Sequence, residues 1–317
     1  MRWLLHSLPN DCHKKMAVAY AIILMLFASA SSKSDSGCYE SIVSFGDSLA
    51  DTGNLLLLRP ADNQPRAARP PYGRTFFHRP TGRCSDGRLV IDFIAQSLGL
   101  PLVQPYVGGE NDGRSFSRGV NFAVIGATAL DNGYYEKIGI HNKDTNVSLG
   151  TQLDWFQQFV AAIPVTTDGR KFLQNSLVLV GEIGGNDYNF PIMQEANAEM
   201  IHTAEDYDPK TGCLNWLNKF SRYHNKLLRK ELNRIQELHP HVAIIYADYY
   251  NAAMRFYLSP NEFGFSTEEF LELAVEQEGR TITMRRRHVA FLRQPVVMIL
   301  LHLLVGMAYT LQRQPTD

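Results

Sequence analysis

Cysteine is scarce in this chain. There are four in 317 residues, none in a Cys-x-x-Cys pair, and the ten histidines form no cluster of metal-binding spacing. That argues against zinc, and no motif calls for another metal or a cofactor. An excess of one charge is missing too. The 31 basic and 32 acidic residues leave a formal net charge of −1, so no broad field draws the chain to nucleic acid or to an acidic membrane. Long apolar runs are also absent. Residues 16–27 and 295–309 are both shorter than the roughly 20 residues of a bilayer span, which argues against firm membrane association. No internal repeat is visible. What is there suits one sizeable domain with an ordinary core: 45% apolar residues, 14 of the residues being tyrosine.

The N-terminus reads as a secretory signal. Lys14-Lys15 precede the apolar run of residues 16–27, and Ala28-Ser29-Ala30 is a small-x-small cleavage site. An uncleaved anchor is the rival reading, and Met16 is an alternative start. Secretion leaves Cys38, Cys84 and Cys213 after loss of Cys12, an odd number that implies a free thiol or a missing partner. Asn146-Val147-Ser148 is a glycosylation sequon.

Strands and helices alternate along the rest. Residues 41–45 read as a strand, and residues 63–87, rich in Pro, Arg and Gly, as a long surface loop. Helical spacing covers residues 89–98 and 153–163. Ser176-Leu177-Val178-Leu179-Val180 has the all-apolar character of a central parallel strand buried on both faces. Residues 214–238 form a long amphipathic helix, and residues 242–246 read as the next strand. Such alternation predicts an α/β layer with a parallel sheet.

Three polar turns sit at or near strand ends. Gly46-Asp47-Ser48 throws a hydroxyl out after the first strand, residues 120–124 run into Gly126, and the strand at 176–180 runs into Gly184-Gly185-Asn186-Asp187. Taken singly these are a helix-capping Asp-Ser turn, a tight turn and a strand-to-helix turn. Together, at the carboxyl edge of one parallel sheet, they converge on one crevice. Acyl transfer needs a nucleophile and donors aimed at a developing oxyanion. Ser48 offers the hydroxyl. Its own backbone N–H, the N–H of Gly126 and the Asn186 amide offer the donors.

On Ser44-Phe45-Gly46-Asp47-Ser48-Leu49-Ala50-Asp51-Thr52-Gly53-Asn54, Gly119-Val120-Asn121-Phe122-Ala123-Val124-Ile125-Gly126-Ala127 and Gly184-Gly185-Asn186-Asp187-Tyr188, the chain resembles the plant GDSL esterases/lipases of the SGNH hydrolase superfamily. Pro71-Tyr72-Gly73 and the segment from Thr81 to Arg88 match that family's inter-block stretches. The resemblance runs from about Cys38 to about Phe265. It implies a flavodoxin-like three-layer α/β/α sandwich and hydrolysis of a small-molecule ester through an acyl-serine. Ser48 is then the nucleophile, and Gly126 and Asn186 complete the oxyanion hole. The implied layout is a leader over 1–30, a hydrolase domain over 31–268 and a tail over 269–317, in a protein secreted to the apoplast or cell wall.

The pattern breaks at the end. The family closes on Asp-x-x-His, the base and the acid that orients it, and this sequence contains no Asp-x-x-His. Glu199-Met200-Ile201-His202 is the nearest substitute but precedes the fourth strand, and neither His288 nor His302 has an acid three residues earlier. Back-translating residues 297–317 and reading one base earlier permits Ser-Trp-Asp-Gly-Ile-His-Leu-Thr-Glu-Ala-Ala-Tyr-Arg, which is the missing segment. The expectation is a frame lost between about residues 265 and 273, with the catalytic Asp and His gone from the product. The same shift restores cysteines to partner those left over. The alternatives are an inactive ester- or carbohydrate-binding relative, an acyltransferase using the same serine, and a misfolding product.

Overall fold

The computed structural model describes residues 39–109, 116–142, 144–163, 169–195, 206–211 and 213–264. The leader, Cys12, Cys38, the segment from Glu199 to His202, His288, His302 and the tail lie outside the described residues. The described part falls into two compact units, one ending at Asp187 and the other starting at Tyr188.

The first unit is built on a parallel sheet. Its strands are β1 (Ser41–Phe45), β2 (Gln104–Pro105), β3 (Gly119–Asn121) and β4 (Ser176–Val180), in the order β2-β3-β1-β4. Every pairing is parallel, with Val43 level with Val120 on one side and Val178 on the other. The unit's helices are α1 (Asn54–Leu58), α2 (Val90–Ser97), α3 (Asn132–Lys137), α4 (Leu149–Ala162) and α5 (Gly169–Gln174), and α6 (Gly185–Glu195) starts at its end and runs on past Asp187.

Strand alternation sorts the side chains into two layers. Ile42, with Leu177 and Leu179, packs on Leu89, Ile91 and Ala95 at and within α2. Val43 and Phe45 point to the other face, where Val120 and Phe122 meet Phe156 and Phe159 of α4 and Phe172 of α5. Sheet faces covered on both sides give the expected three-layer α/β fold. The long loop before α2 is anchored from inside. Arg83 makes a bidentate ion pair with Asp92 at 2.8 Å for both bonds, and both side chains are buried.

Two expectations need correction. β4 is a strand but is not buried on both faces. It pairs only with β1 among the described residues, and Val178 and Val180 are 46% and 65% exposed. Residues 242–246 form no strand. The side chain of Gln236 takes the backbone groups a ladder would use, donating to the Val242 carbonyl at 2.6 Å and accepting from Ile244 N–H at 2.9 Å. Helix α4 also starts four residues earlier than its apolar spacing suggests, because the Ser148 hydroxyl caps it by accepting from Thr151 N–H.

The second unit contains α7 (Asn215–Leu238) and α8 (Tyr249–Leu258). Leu214 and Leu217 pack with Tyr250, Tyr188 and Tyr207. Cys213 packs with Ala253, Phe256 and Tyr257. No helix of the described residues is long and apolar enough to cross a membrane.

Candidate active site

The Ser48 turn begins where β1 stops. Gly46 adopts φ 153°, and a Cβ there would lie 2.4 Å from the Gly181 carbonyl oxygen, so only glycine passes between the ends of β1 and β4. The turn is then fixed from both sides. Asp47 N–H donates to the Glu182 carbonyl at 3.0 Å. Gln152 of α4, wholly buried, accepts from Gly46 N–H at 2.9 Å and donates to the Gly46 carbonyl at 2.8 Å. The Ser48 side chain is half-buried, and its hydroxyl has no hydrogen-bond partner among the described residues.

Asp51 and two asparagines tie this turn to the Gly126 turn. The Asp51 carboxylate accepts from the N–H groups of Gly53, Asn54 and Leu55 at the start of α1, and from Ile125 N–H at 2.9 Å. Asn121 donates to the Ala50 carbonyl and to the Thr52 hydroxyl. Asn54 donates to the Asn121 and Ala123 carbonyls and accepts from Val107 N–H. All three side chains are fully buried. Unpaired buried polar groups are costly, so a network this complete holds one geometry.

Gly126 has φ 80°, and a Cβ there would lie 2.6 Å from Asp144 Cβ. Its carbonyl accepts from Asn142. The third turn closes on the second, where Asn186 Nδ2 donates to the Ala127 carbonyl at 2.9 Å, occupying one of its two N–H donors. Asp187 accepts from Ala129 N–H, Leu130 N–H and the Tyr135 hydroxyl at 2.6–2.9 Å, which fixes the loop after Gly126. The structure thus links the turns of Ser48, Gly126 and Asn186 by direct hydrogen bonds.

Buried acids stand close to the Ser48 turn. Burial pushes the Asp47 carboxyl up to about 7, with the Leu49 N–H opposing and the Asp187 charge adding to the rise. Burial lifts Asp51 to about 6 against the pull of its four N–H donors. Desolvation, helped by the charges of Asp51, Asp47 and Asp144, pushes the Cys84 thiol far above its ordinary range, which makes it a poor nucleophile. Cys84 and Cys213 are both free. Among the described residues no group of three or more His, Cys, Asp or Glu is placed to hold a metal ion.

The model of the GDSL-like lipase/acylhydrolase family matches residues 42–268. The chain belongs to that family. Two GDSL esterase/lipases of Arabidopsis thaliana are each 45% identical, over 297 and 303 residues, covering 78% and 80% of this chain and 76% of each relative. Sinapine esterase of Brassica napus is 44% identical over 284 residues, 74% of this chain and 72% of that protein. No solved structure gives a significant match. The membership makes the chain a carboxylic ester hydrolase by family.

Sequence reading left the supporting residues unassigned. Asp51, Asn54 and Asn121 lie inside the motif blocks, where a buried role was open to inference from polar residues flanking apolar strands. Gln152 had its own signal. It falls with Leu149, Phe156 and Phe159 on the inward stripe of α4, and a polar residue on a core stripe needs a buried partner.

Proposed function

We propose that the Ser48 hydroxyl is the acyl acceptor of a serine ester hydrolase, with the N–H groups of Ser48 and Gly126 and the Asn186 amide as the oxyanion hole. The support is the bond of Asn186 to the Ala127 carbonyl, which sets the amide beside the Gly126 turn, while Asp51 joins that turn to the one carrying Ser48. In this mechanism Ser48 Oγ attacks the ester carbonyl and the three donors take the charge moving onto its oxygen. The alcohol leaves, and water later releases the acyl group from the serine. Both steps need a base for the attacking hydroxyl proton.

That base is the weak point. The sequence carries no Asp-x-x-His, and the acids nearest Ser48 are engaged with backbone N–H groups. Removing the base from a serine hydrolase costs about 10⁶ in kcat and leaves roughly 10³ to 10⁴ over water. This polypeptide therefore turns over short-chain nitrophenyl esters barely faster than its Ser48→Ala variant. Robust Ser48-dependent hydrolysis would sink that expectation. The missing motif also favours a second reading, a binding protein that keeps the ester pocket. Stabilisation against heat by an ester left uncleaved distinguishes it.

Secretion and glycosylation belong to the same proposal. The leader sequence supports the first. Asn146 is exposed in the loop before α4, where an attached glycan has room.

A further inference from the structure

The long loop before α2 carries a charged surface that neither the motifs nor the mechanism uses. Residues 63–88 hold six arginines, no lysine and one acid, Asp86, which is buried. Arg83 is turned inward onto Asp92. Arg66, Arg69, Arg74 and Arg79 are exposed, and no described residue gives their guanidinium groups a hydrogen bond or an ion pair. The exposed acid nearest to the loop along the chain is Asp62. In a chain of net charge −1 this is a local concentration of positive charge.

The loop sets these arginines on an ordered backbone. Arg69 N–H donates to the Arg66 carbonyl at 3.1 Å, and Tyr72 N–H to the Arg69 carbonyl at 3.2 Å. Gly73, at φ 72°, accepts from Arg79 N–H at 3.1 Å, which returns Arg79 to the neighbourhood of Arg74. A Cβ on Gly73 would lie 1.9 Å from the Arg79 carbonyl oxygen, so this approach needs glycine. The N–H groups of Gly73 and Thr75 then donate to the Ser85 and Asp86 carbonyls, beside the anchored Arg83. A backbone ordered in advance loses less entropy when a ligand arrives.

Planar guanidinium forks match carboxylates and phosphates, and several on one loop suit a ligand that repeats its charge. A lipid surface fits poorly. Phe76 is the one large apolar residue exposed in the loop, and its ring is already engaged by the Arg88 guanidinium at 4.4 Å and the Phe77 ring at 4.9 Å. The linear polyanions that a secreted protein meets are carboxylated polysaccharides. Choosing them over nucleic acid rests on the proposed secretion, whereas the electrostatics do not.

We propose that this arginine loop binds a carboxylate-bearing polysaccharide and retains the protein on it. Arg83 joins the loop to the Ser48 segment through the Thr52 carbonyl at 3.1 Å, so the bound polymer is held near the candidate site. The test passes the purified full chain over immobilised polygalacturonate, its methyl-esterified form, phosphatidylserine vesicles and double-stranded DNA. The wild type binds polygalacturonate saturably, about ten-fold or more tighter than the esterified polymer, and loses that affinity as salt rises to about 0.5 M. Replacing Arg66, Arg69, Arg74 and Arg79 together by Gln weakens binding about ten-fold or more at an unchanged thermal midpoint. Replacing the exposed Lys137, Lys219, Lys226 and Lys230 by Gln removes the same charge elsewhere and leaves binding as it was. Arg74→Gln/Arg79→Gln gives an intermediate loss. Four results each overturn the assignment: no saturable binding, equal affinity for the esterified polymer, full affinity in the four-arginine variant, or an equal loss in the lysine variant. Tighter binding to the vesicles or to DNA than to polygalacturonate overturns the choice of polymer. Ser48→Ala binds as the wild type does, so these affinities decide the loop's role whatever becomes of the catalytic reading or of secretion.

Discussion

Gln152 puts both ends of one amide on the backbone of a single glycine, two residues before Ser48. Replacing it by Leu leaves the Gly46 N–H buried without an acceptor, while the carbonyl keeps its bond from Val124 N–H. One orphaned buried donor and two lost bonds predict a loss of about 2 to 4 kcal/mol, read as a shift in the denaturation midpoint at unchanged slope. A loss below about 0.5 kcal/mol would mean that the turn holds itself. Asp47 gives a prediction in pH. Its folded-state carboxyl titrates near 7, above its ordinary value of 3.8, so the folded state binds the extra proton between those limits. The stability from that proton is complete below about 4 and is lost as pH rises through 7. Asp47→Asn removes up to about 1.4 kcal/mol per pH unit of that downward slope. Urea titrations of both proteins from pH 4 to 8 measure the difference, and parallel curves would show that Asp47 ionises normally in the fold.

Helix α2 shows how an element far from the turns still sets them. Asp92, in its first turn, caps the Leu89 N–H and receives the Arg83 guanidinium, which also donates to the Thr52 carbonyl in the Ser48 motif segment. Arg83→Met strands the Asp92 charge in the core and should cost about 3 to 5 kcal/mol. In Arg83→Met/Asp92→Leu, with both partners apolar, most of that loss returns, and equal instability of the single and double variants would contradict the account. The elements themselves were largely legible. The apolar runs at 41–45 and 176–180 and the stripe of residues 214–238 announced their type, because each buries a face whose period is written in the residues. The errors arose where partners decide. The run at 242–246 has strand composition, yet Gln236 satisfies its backbone from a helix. The exposure of Val178 and Val180 depends on what lies beside β4, which no local pattern encodes. In the candidate site, Ser48, Gly126 and Asn186 stood out because turn chemistry is local. Gln152 and Asp187 act on segments 106 and 57–58 residues away, and only the fold reveals their targets.

At the scale of the whole molecule, two facts pull apart. The described residues assemble a polar scaffold in which every motif block touches the next, yet the sequence carries no Asp-x-x-His to serve Ser48. The proposed late loss of frame would leave this scaffold as it is, since among the described residues the bonds that hold the three turns come from positions before 265. A binding protein that keeps the ester pocket keeps the same turns, so both histories share this scaffold. The two histories differ in what restoration does. Shifting the frame back near residues 265–273 appends Asp-Gly-Ile-His without touching Ser48, Gly126, Asn186 or their supports. If the turns are still set for acyl transfer, the restored chain should hydrolyse a short-chain nitrophenyl ester between about 10³ and 10⁶ times faster than the present one, and Ser48→Ala should abolish the gain. Paired assays of the two chains with their serine variants decide the matter. A restored chain that folds and binds ester but stays as slow as the present one would place the defect in the turns themselves.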